Sequence, residues 1–164
     1  MLWIITGTII SYFIGSIPTA YIFGRLLKGI DIREFGSGNV GATNAMRVLG
    51  KVPGITVLIL DVIKGFVCVF FLGDFIITRN AVVLAEIIFI LLGLSCISGH
   101  NWSIFLQFKG GKGIATTFGV LIGLSIKIAG LKLILGLVIL TWLLVLLFFR
   151  TVSISSIVAA ISLP

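Results

Sequence analysis

The sequence contains a glycine-rich turn that leads directly into an apolar stretch, at residues 108–117, FKGGKGIATT. Glycines let backbone N–H groups approach an anion, a helix N-terminus adds positive potential, and Lys112 supplies a full charge. The turn is not a Walker A loop, because Leu106 stands where that motif has glycine and Gly113 follows the lysine. The spacing alone fits two interpretations equally, a phosphate site and a flexible basic loop beside a membrane.

A second polar stretch, residues 36–44, reads GSGNVGATN and is followed by Arg47. It offers hydroxyls, carboxamides and backbone donors within a few residues of a guanidinium, which can bind phosphate through two parallel hydrogen bonds. The alternative is an ordinary surface or re-entrant turn. We predict that this loop binds a polyoxygenated, anionic substrate.

The single histidine, His100, lies just upstream of the glycine turn and has no convincing acidic partner in the sequence. Phe105 stands where a His-x4-Asp acyltransferase carries its aspartate. His100 is therefore either a catalytic group of another kind or an interfacial hydrogen-bonding residue. Asp61 and Lys64 are three residues apart in an apolar run, and we interpret them as a structural pair on one helix face.

Metal-dependent phosphotransfer needs clustered carboxylates, and the polar stretches 24–53 and 99–113 offer only Asp31 and Glu34. We expect neither a metal site nor another cofactor. Cys68 and Cys96 lie within apolar runs without metal-ligand spacing and are interpreted as small buried hydrophobic residues.

The elements that position these groups follow from composition. The 164 residues are 59% apolar and 10% charged, with a mean hydropathy of +1.31, which is typical of membrane proteins. The net charge of +7 fits loops beside a membrane; a nucleic-acid partner is not expected, because binding it requires a wettable basic face. We predict one integral membrane domain over residues 1–164, an all-α polytopic helix bundle.

We expect about five complete spans and the start of a sixth. The first, residues 2–23, should kink between Ser16 and Thr19 because of Pro18. A short connection at 73–80 carries Asp74 and Arg79, whose charges are expected to cancel. The second and third spans are predicted at residues 54–72 and 81–98. Residues 114–149 are long enough for two more spans with a turn near 125–132, and a partial span follows residue 150.

The distribution of Lys and Arg predicts the orientation. With the N-terminus outside, loops 24–53 and 99–113 and Arg150 lie inside, together with eight of the twelve basic residues. Lys127 and Lys132 then fall in an outer turn, from which they can snorkel.

Taken in order, these motifs resemble the bacterial PlsY family of membrane glycerol-3-phosphate acyltransferases. The resemblance is carried by loop 36–44 with Arg47, by GHNW at 99–102 leading into the glycine turn, and by RTVSISS at 150–156. Smaller similarities occur at residues 15–18 and at Asp61 with Lys64.

The resemblance implies transfer of a fatty acyl group from acyl-phosphate to the 1-hydroxyl of glycerol 3-phosphate, giving lysophosphatidic acid and phosphate, the first step of phospholipid synthesis. It implies a bacterial inner-membrane protein among membrane lipids, with its active site facing the cytoplasm and no acyl-enzyme. A monomer is plausible. Family members continue through another span, so a chain ending at Pro164 is expected to be C-terminally truncated.

The resemblance implies essential roles for Ser37 and Arg47, and together with Lys112 and His100 they are the four predicted catalytic residues. The predicted substrate-binding residues are Gly38, Asn39, Gly41, Thr43, Asn44, Lys109, Gly110, Gly111, Gly113, Thr116, Ser153 and Ser156. Ser153 and Ser156 have the alternative role of capping the next helix. The alternative functions are a small membrane transporter of organic phosphates and, after it, a non-catalytic membrane scaffold.

Overall fold

The computed structural model describes residues 1–79 and 84–161, and every regular element among them is helical. The predicted all-α bundle is therefore confirmed for these residues. Single turns of 3-10 helix cover Ile32–Glu34 and Ile104–Leu106, and a π-helical turn covers Cys68–Leu72. The α-helices are α1 (Leu2–Ser16), α2 (Thr19–Lys28), α3 (Ala42–Leu49), α4 (Lys51–Val67), α5 (Gly73–Ile77), α6 (Ala85–Asn101), α7 (Ile114–Lys127), α8 (Leu131–Phe149) and α9 (Val152–Ile161).

Four segments of the described chain are long and apolar enough to cross a membrane: Leu2–Lys28, Lys51–Ile77, Ala85–Leu106 and Leu131–Phe149. Helix α7 has 14 residues, which at 1.5 Å per residue covers roughly 21 Å, against a hydrocarbon core of about 30 Å. By helix length, the described residues thus provide four of the expected five complete spans, with α7 as a shorter apolar helix.

The predicted kink in the first span lies between Ser16 and Thr19. Helix α1 ends at Ser16, Ile17 leaves the helical conformation ahead of Pro18, and α2 begins at Thr19. Proline disfavours helical geometry at the residue before it and lacks an N–H of its own. The break frees the Ile17 carbonyl, which accepts a hydrogen bond from Lys64 Nζ at 3.2 Å.

The predicted end of the second span at residue 72 is wrong, because the helix continues through the π-helical turn to Ile77. The predicted cancellation of Asp74 by Arg79 is also wrong. Asp74 instead pairs with Lys127 at 2.6 Å, and the Arg79 guanidinium lies 3.6 Å from the centre of the Phe75 ring. The carboxylate of Asp74 therefore compensates the positive charge of Lys127 within the protein. Water reached by snorkelling is not the only partner that stabilises this charge.

The predicted start of the third span, residues 81–83, lies outside the described residues. The described helix α6 begins at Ala85 and ends at Asn101, so it extends past the predicted end at Ser98. His100 consequently belongs to the last turn of a helix and not to the loop that follows it.

Two helix pairs, α1 with α6 and α4 with α7, form the centre of the bundle. Glycines on these helices allow close approach of the neighbouring backbone, as is common between membrane helices. A Cβ added at any of four glycines would fall on a carbonyl oxygen of the partner helix: Gly15 on Cys96, Gly99 on Tyr12, Gly65 on Thr116 and Gly119 on Val62.

A cluster of buried apolar residues joins the polar loops at one end of the bundle. It brings Leu106, which precedes the glycine turn, together with Val40 and Ala42, which belong to loop 36–44. The segment that leads into the glycine turn and loop 36–44 therefore pack into the same cluster. The cluster consists of Ala20, Ile32, Val40, Ala42, Ala45, Leu49, Val57 and Leu106.

Replacement of Gly119 by alanine is expected to destabilise the protein by about 1–3 kcal/mol, because the new methyl group forces α7 away from α4. Gly136→Ala is the matched control, since a Cβ at this position on α8 meets nothing within 4 Å. Thermal unfolding can be followed with a thiol-reactive dye, because both cysteines are free and buried. Equal unfolding temperatures for the two variants would contradict the close α4–α7 packing.

Candidate active site

Loop 36–44 is held in shape by Asn44, whose side chain is buried. Its Oδ1 accepts the Ser37 N–H at 2.8 Å, and its Nδ2 donates to the carbonyls of Ile32 and Phe35 at 3.2 and 3.1 Å. Gly36 has a φ of 63°, and a side chain there would meet the Asn44 carboxamide. The predicted role of Asn44 in substrate binding is therefore corrected to a structural one, because both amide hydrogens already bond the loop backbone.

The other predicted residues of this loop remain accessible. Ser37, Gly38 and Thr43 are exposed, and Asn39 and Gly41 are half-buried. Arg47 is exposed on α3 and forms no ion pair within the described part of the chain. A hydroxyl and an unpaired guanidinium are thus available to an anionic ligand at this loop.

The carboxylate of Asp31 is not available to bind a metal or a substrate. Arg33 donates to it from its side chain, from Nε at 3.0 Å and from Nη2 at 2.6 Å, and from its backbone N–H at 3.0 Å, and Arg25 lies 3.7 Å away. The hydrogen bonds from Arg33 lower the pKa of Asp31 to about 2. Arg25 and Arg33 are therefore both engaged by one carboxylate within the protein, whereas Arg47 is a cation that a ligand can engage.

The backbone of the glycine turn differs from the sequence prediction. Gly110 N–H donates to the Asn101 carbonyl at 3.1 Å, and Gly111 N–H donates to the His100 carbonyl at 3.0 Å. These two donors anchor the turn to the end of α6 and are not free to hold a phosphate. The available donors are instead those of the first turn of α7, which begins after Gly113 without a side-chain cap.

Lys112 is exposed, and its Nζ donates to Ser153 Oγ at 3.2 Å, so α9 contributes a hydroxyl beside the turn. Lys109 is also exposed. Ser156 is directed elsewhere: its hydroxyl accepts from Trp142 Nε1 at 3.1 Å and donates to the Val152 carbonyl at 2.8 Å. The predicted substrate role of Ser156 is therefore corrected to a contact between α8 and α9.

Thr116 is fully buried in the contact between α7 and α4, where its carbonyl lies against Gly65. Its hydroxyl is therefore not exposed beside the turn, and its role in substrate binding stays a prediction. Its hydroxyl has no hydrogen-bond partner among residues 1–79 and 84–161, and the same holds for the buried Oδ1 of Asn101, which lies against Gly113.

His100 belongs to a buried charged cluster with Asp61 and Lys64. Lys64 Nζ lies 2.8 Å from Asp61 Oδ1 and 2.8 Å from His100 Nδ1, and Thr19 Oγ1 donates to Asp61 Oδ1 at 2.7 Å. The predicted Asp61–Lys64 pair is confirmed. The sequence interpretation missed its link to His100, whose Nδ1 is 3.7 Å from Asp61 Oδ1. The available signal was the presence of two charged residues inside an apolar helix.

Within the described residues, no group of three His, Cys, Asp or Glu side chains lies close enough to hold a metal ion. The accessible polar side chains of this region include the cations and hydroxyls of the two loops.

The Asp31 ion pairs predict a defined pH dependence of stability. Because the folded-state pKa of about 2 is below the ordinary value of 3.8, the carboxylate stabilises the fold fully above 3.8 and loses this effect as the pH falls towards 2. Asp31→Asn should thus lower the unfolding temperature at neutral pH. The difference in unfolding temperature between this variant and the unmodified protein should shrink as the pH falls from 3.8 towards 2. Glu34→Gln is the control, since Glu34 is exposed and unpaired among the described residues. A difference that grows on acidification would contradict this assignment.

Comparison with known proteins identifies close relatives over nearly the whole chain. A glycerol-3-phosphate acyltransferase 2 of Moorella thermoacetica is 45% identical over 163 residues, which are 99% of this chain and 76% of the relative. A glycerol-3-phosphate acyltransferase of Chlorobium phaeobacteroides is 46% identical over 94% of this chain and 65% of the relative. The chain thus spans about two thirds to three quarters of the length of these relatives.

The solved structures that match this chain carry the same description as the relatives found by sequence. The glycerol 3-phosphate form of PlsY, described as an integral membrane glycerol 3-phosphate acyltransferase, matches with a TM-score of 0.78 and 36% identity, over 97% of this chain and 73% of PlsY. Its lysophosphatidic acid form matches with a TM-score of 0.76. The family model for glycerol-3-phosphate acyltransferases matches residues 5–164. This chain therefore belongs to the glycerol-3-phosphate acyltransferase family and is a multi-pass integral membrane protein.

Proposed function

We propose that this protein transfers a fatty acyl group from an acyl-phosphate to the 1-hydroxyl of glycerol 3-phosphate. One structural observation carries the proposal: loop 36–44 and the segment that leads into the glycine turn pack into one buried cluster, and both loops carry accessible anion-binding groups. Ser37 and Arg47 belong to one loop, and Lys112 with the start of α7 belongs to the other. The names of the relatives support glycerol 3-phosphate as the acceptor, and the two solved forms of PlsY support lysophosphatidic acid as the product.

Both substrates carry phosphate, so the main task of the site is to hold two anions close together. Arginine, lysine and the N-H groups of a helix N-terminus do this by charge-assisted hydrogen bonds. Proximity and electrostatic stabilisation then lower the barrier without a covalent intermediate. In our assignment Arg47 and Ser37 serve one phosphate, and Lys112 with Ser153 serves the other.

We propose a direct transfer. The 1-hydroxyl oxygen forms a bond to the acyl carbon, the bond from that carbon to the phosphate oxygen breaks, and a substrate phosphate takes the hydroxyl proton. The surroundings of the candidate nucleophiles support this route. Cys68 and Cys96 are buried, and in the described chain the Ser37 hydroxyl has no imidazole or carboxylate partner that could activate it.

The membrane location follows the same reasoning. Basic residues concentrate in the loops that carry the site, which favours a cytoplasmic position in a bacterial inner membrane and an N-terminus outside. The alkyl chain of the acyl donor remains in lipid, while its phosphate reaches the two loops at the bilayer boundary.

Incubation of the purified protein in lipid nanodiscs with palmitoyl-phosphate and glycerol 3-phosphate should produce lysophosphatidic acid and inorganic phosphate in equal amounts. Mass spectrometry of the lipid fraction and a phosphate assay measure the two products. Protein that yields neither product, but moves glycerol 3-phosphate across sealed vesicles unchanged, would replace this proposal with a transporter.

Arg47→Ala and Lys112→Ala should each reduce kcat/KM for glycerol 3-phosphate or for palmitoyl-phosphate by about 10-fold to 100-fold, because a hydrogen bond to a charged group is lost. Lys132→Ala is the matched control, since this exposed lysine at the start of α8 is remote in sequence from both loops. Steady-state rates at varied concentrations of each substrate separate the effect on glycerol 3-phosphate from the effect on palmitoyl-phosphate. Unchanged kinetics in both loop variants would remove these cations from the site.

Activity should persist in the presence of excess EDTA, because the proposed site binds phosphate through protein cations. Rates measured with EDTA and after addition of magnesium provide the comparison. Strict dependence on magnesium would contradict the metal-free part of the proposal.

A further inference from the structure

We infer that Lys64 is a positioning residue that holds His100 as the neutral tautomer with its proton on Nε2, at the side of the ring facing Gly111. The catalytic consequence rests on the proposed function, whereas the assignment of the tautomer rests on geometry alone.

Lys64 has three acceptors for the three hydrogens of an ammonium group. They are Asp61 Oδ1 at 2.8 Å, His100 Nδ1 at 2.8 Å and the Ile17 carbonyl at 3.2 Å. Asp61 is 1% exposed and Lys64 is 7% exposed, so each charge depends on the other for compensation. This set of partners matches a charged lysine, which has three donors and no acceptor.

The charged lysine determines the state of the imidazole. Nδ1 accepts a hydrogen bond from Lys64, so it cannot carry a proton, because an N–H there would oppose the ammonium at 2.8 Å. A neutral imidazole with an unprotonated Nδ1 carries its hydrogen on Nε2. His100 is 7% exposed, which removes the solvent that would otherwise stabilise a second proton.

The Nε2 side of the ring is in contact with the glycine turn. A Cβ added at Gly111 would fall on His100 Nε2, and the Gly111 N–H donates to the His100 carbonyl at 3.0 Å. His100 therefore contacts Gly111 with both its ring and its backbone. Gly111 directly precedes Lys112, so the tautomer and orientation of the ring affect where Lys112 and the start of α7 are presented to a phosphate.

The chain has one histidine, so ring-labelled ¹⁵N-histidine gives a single pair of ring resonances. In nanodiscs without substrates at neutral pH, those resonances should report a neutral ring protonated on Nε2. A ring protonated on Nδ1, or on both nitrogens, would overturn the inference. This measurement uses the unmodified protein and does not depend on any variant folding.

The double variant Asp61→Asn with Lys64→Met removes both buried charges together, which avoids an unpaired carboxylate. It should shift the ring resonances towards a mixture of tautomers. The double variant Asp74→Asn with Lys127→Met is the matched control, because it removes an ion pair of 2.6 Å that does not include His100. Unchanged ring resonances in the Asp61/Lys64 variant would show that Lys64 does not set the tautomer.

The same two variants separate this inference from the proposed function. The Asp61/Lys64 variant should lower kcat/KM for glycerol 3-phosphate by about tenfold or more, through displacement of the turn, while the Asp74/Lys127 variant remains near the unmodified rate. If the unmodified protein shows the expected tautomer but transfers no acyl group, only the proposed function is contradicted. An active enzyme protonated on Nδ1 would contradict only the present inference.

Discussion

The burial of Lys64 within an apolar helix is the constraint on which the centre of the molecule depends. An unpaired ammonium in such surroundings costs several kcal/mol, so the fold must supply its acceptors. They come from three places: Asp61 on the same helix, the carbonyl freed at the break between α1 and α2, and His100 at the end of α6. Satisfying one side chain thereby aligns three segments, and displacement of any one of them leaves charges uncompensated.

The close approach of the helices makes this alignment possible. Glycines bring α1 against α6 and α4 against α7. Side chains of these helices then meet in the charged cluster of Asp61, Lys64 and His100. Hydrogen bonds to backbone carbonyls then continue the arrangement into the loops. Ser103 donates to the Ser16 carbonyl at 2.6 Å, and the carbonyls of His100 and Asn101 hold the glycine turn. The accessible cations are therefore carried on a buried polar framework, which would organise in advance the site that we propose.

Local features of the sequence predicted much of this arrangement. The break at Pro18, the apolar spans and the two polar loops follow from composition and short-range geometry, which do not depend on the rest of the fold. The details of individual contacts did not follow in the same way. Glycines at 110 and 111 looked like free donors, but the end of α6 takes their N–H groups. Asn44 looked like a ligand, but its carboxamide closes its own loop.

The amino-acid sequence by itself determined the membrane class, the helical architecture, the family and the two loops that carry the accessible cations. The tertiary structure decided which charges meet. Lys64 reaches His100 across 36 positions, and Asp74 reaches Lys127 across 53. The physical reason is that such partners depend on how whole helices are placed and rotated against one another, whereas periodicity and composition describe each helix alone.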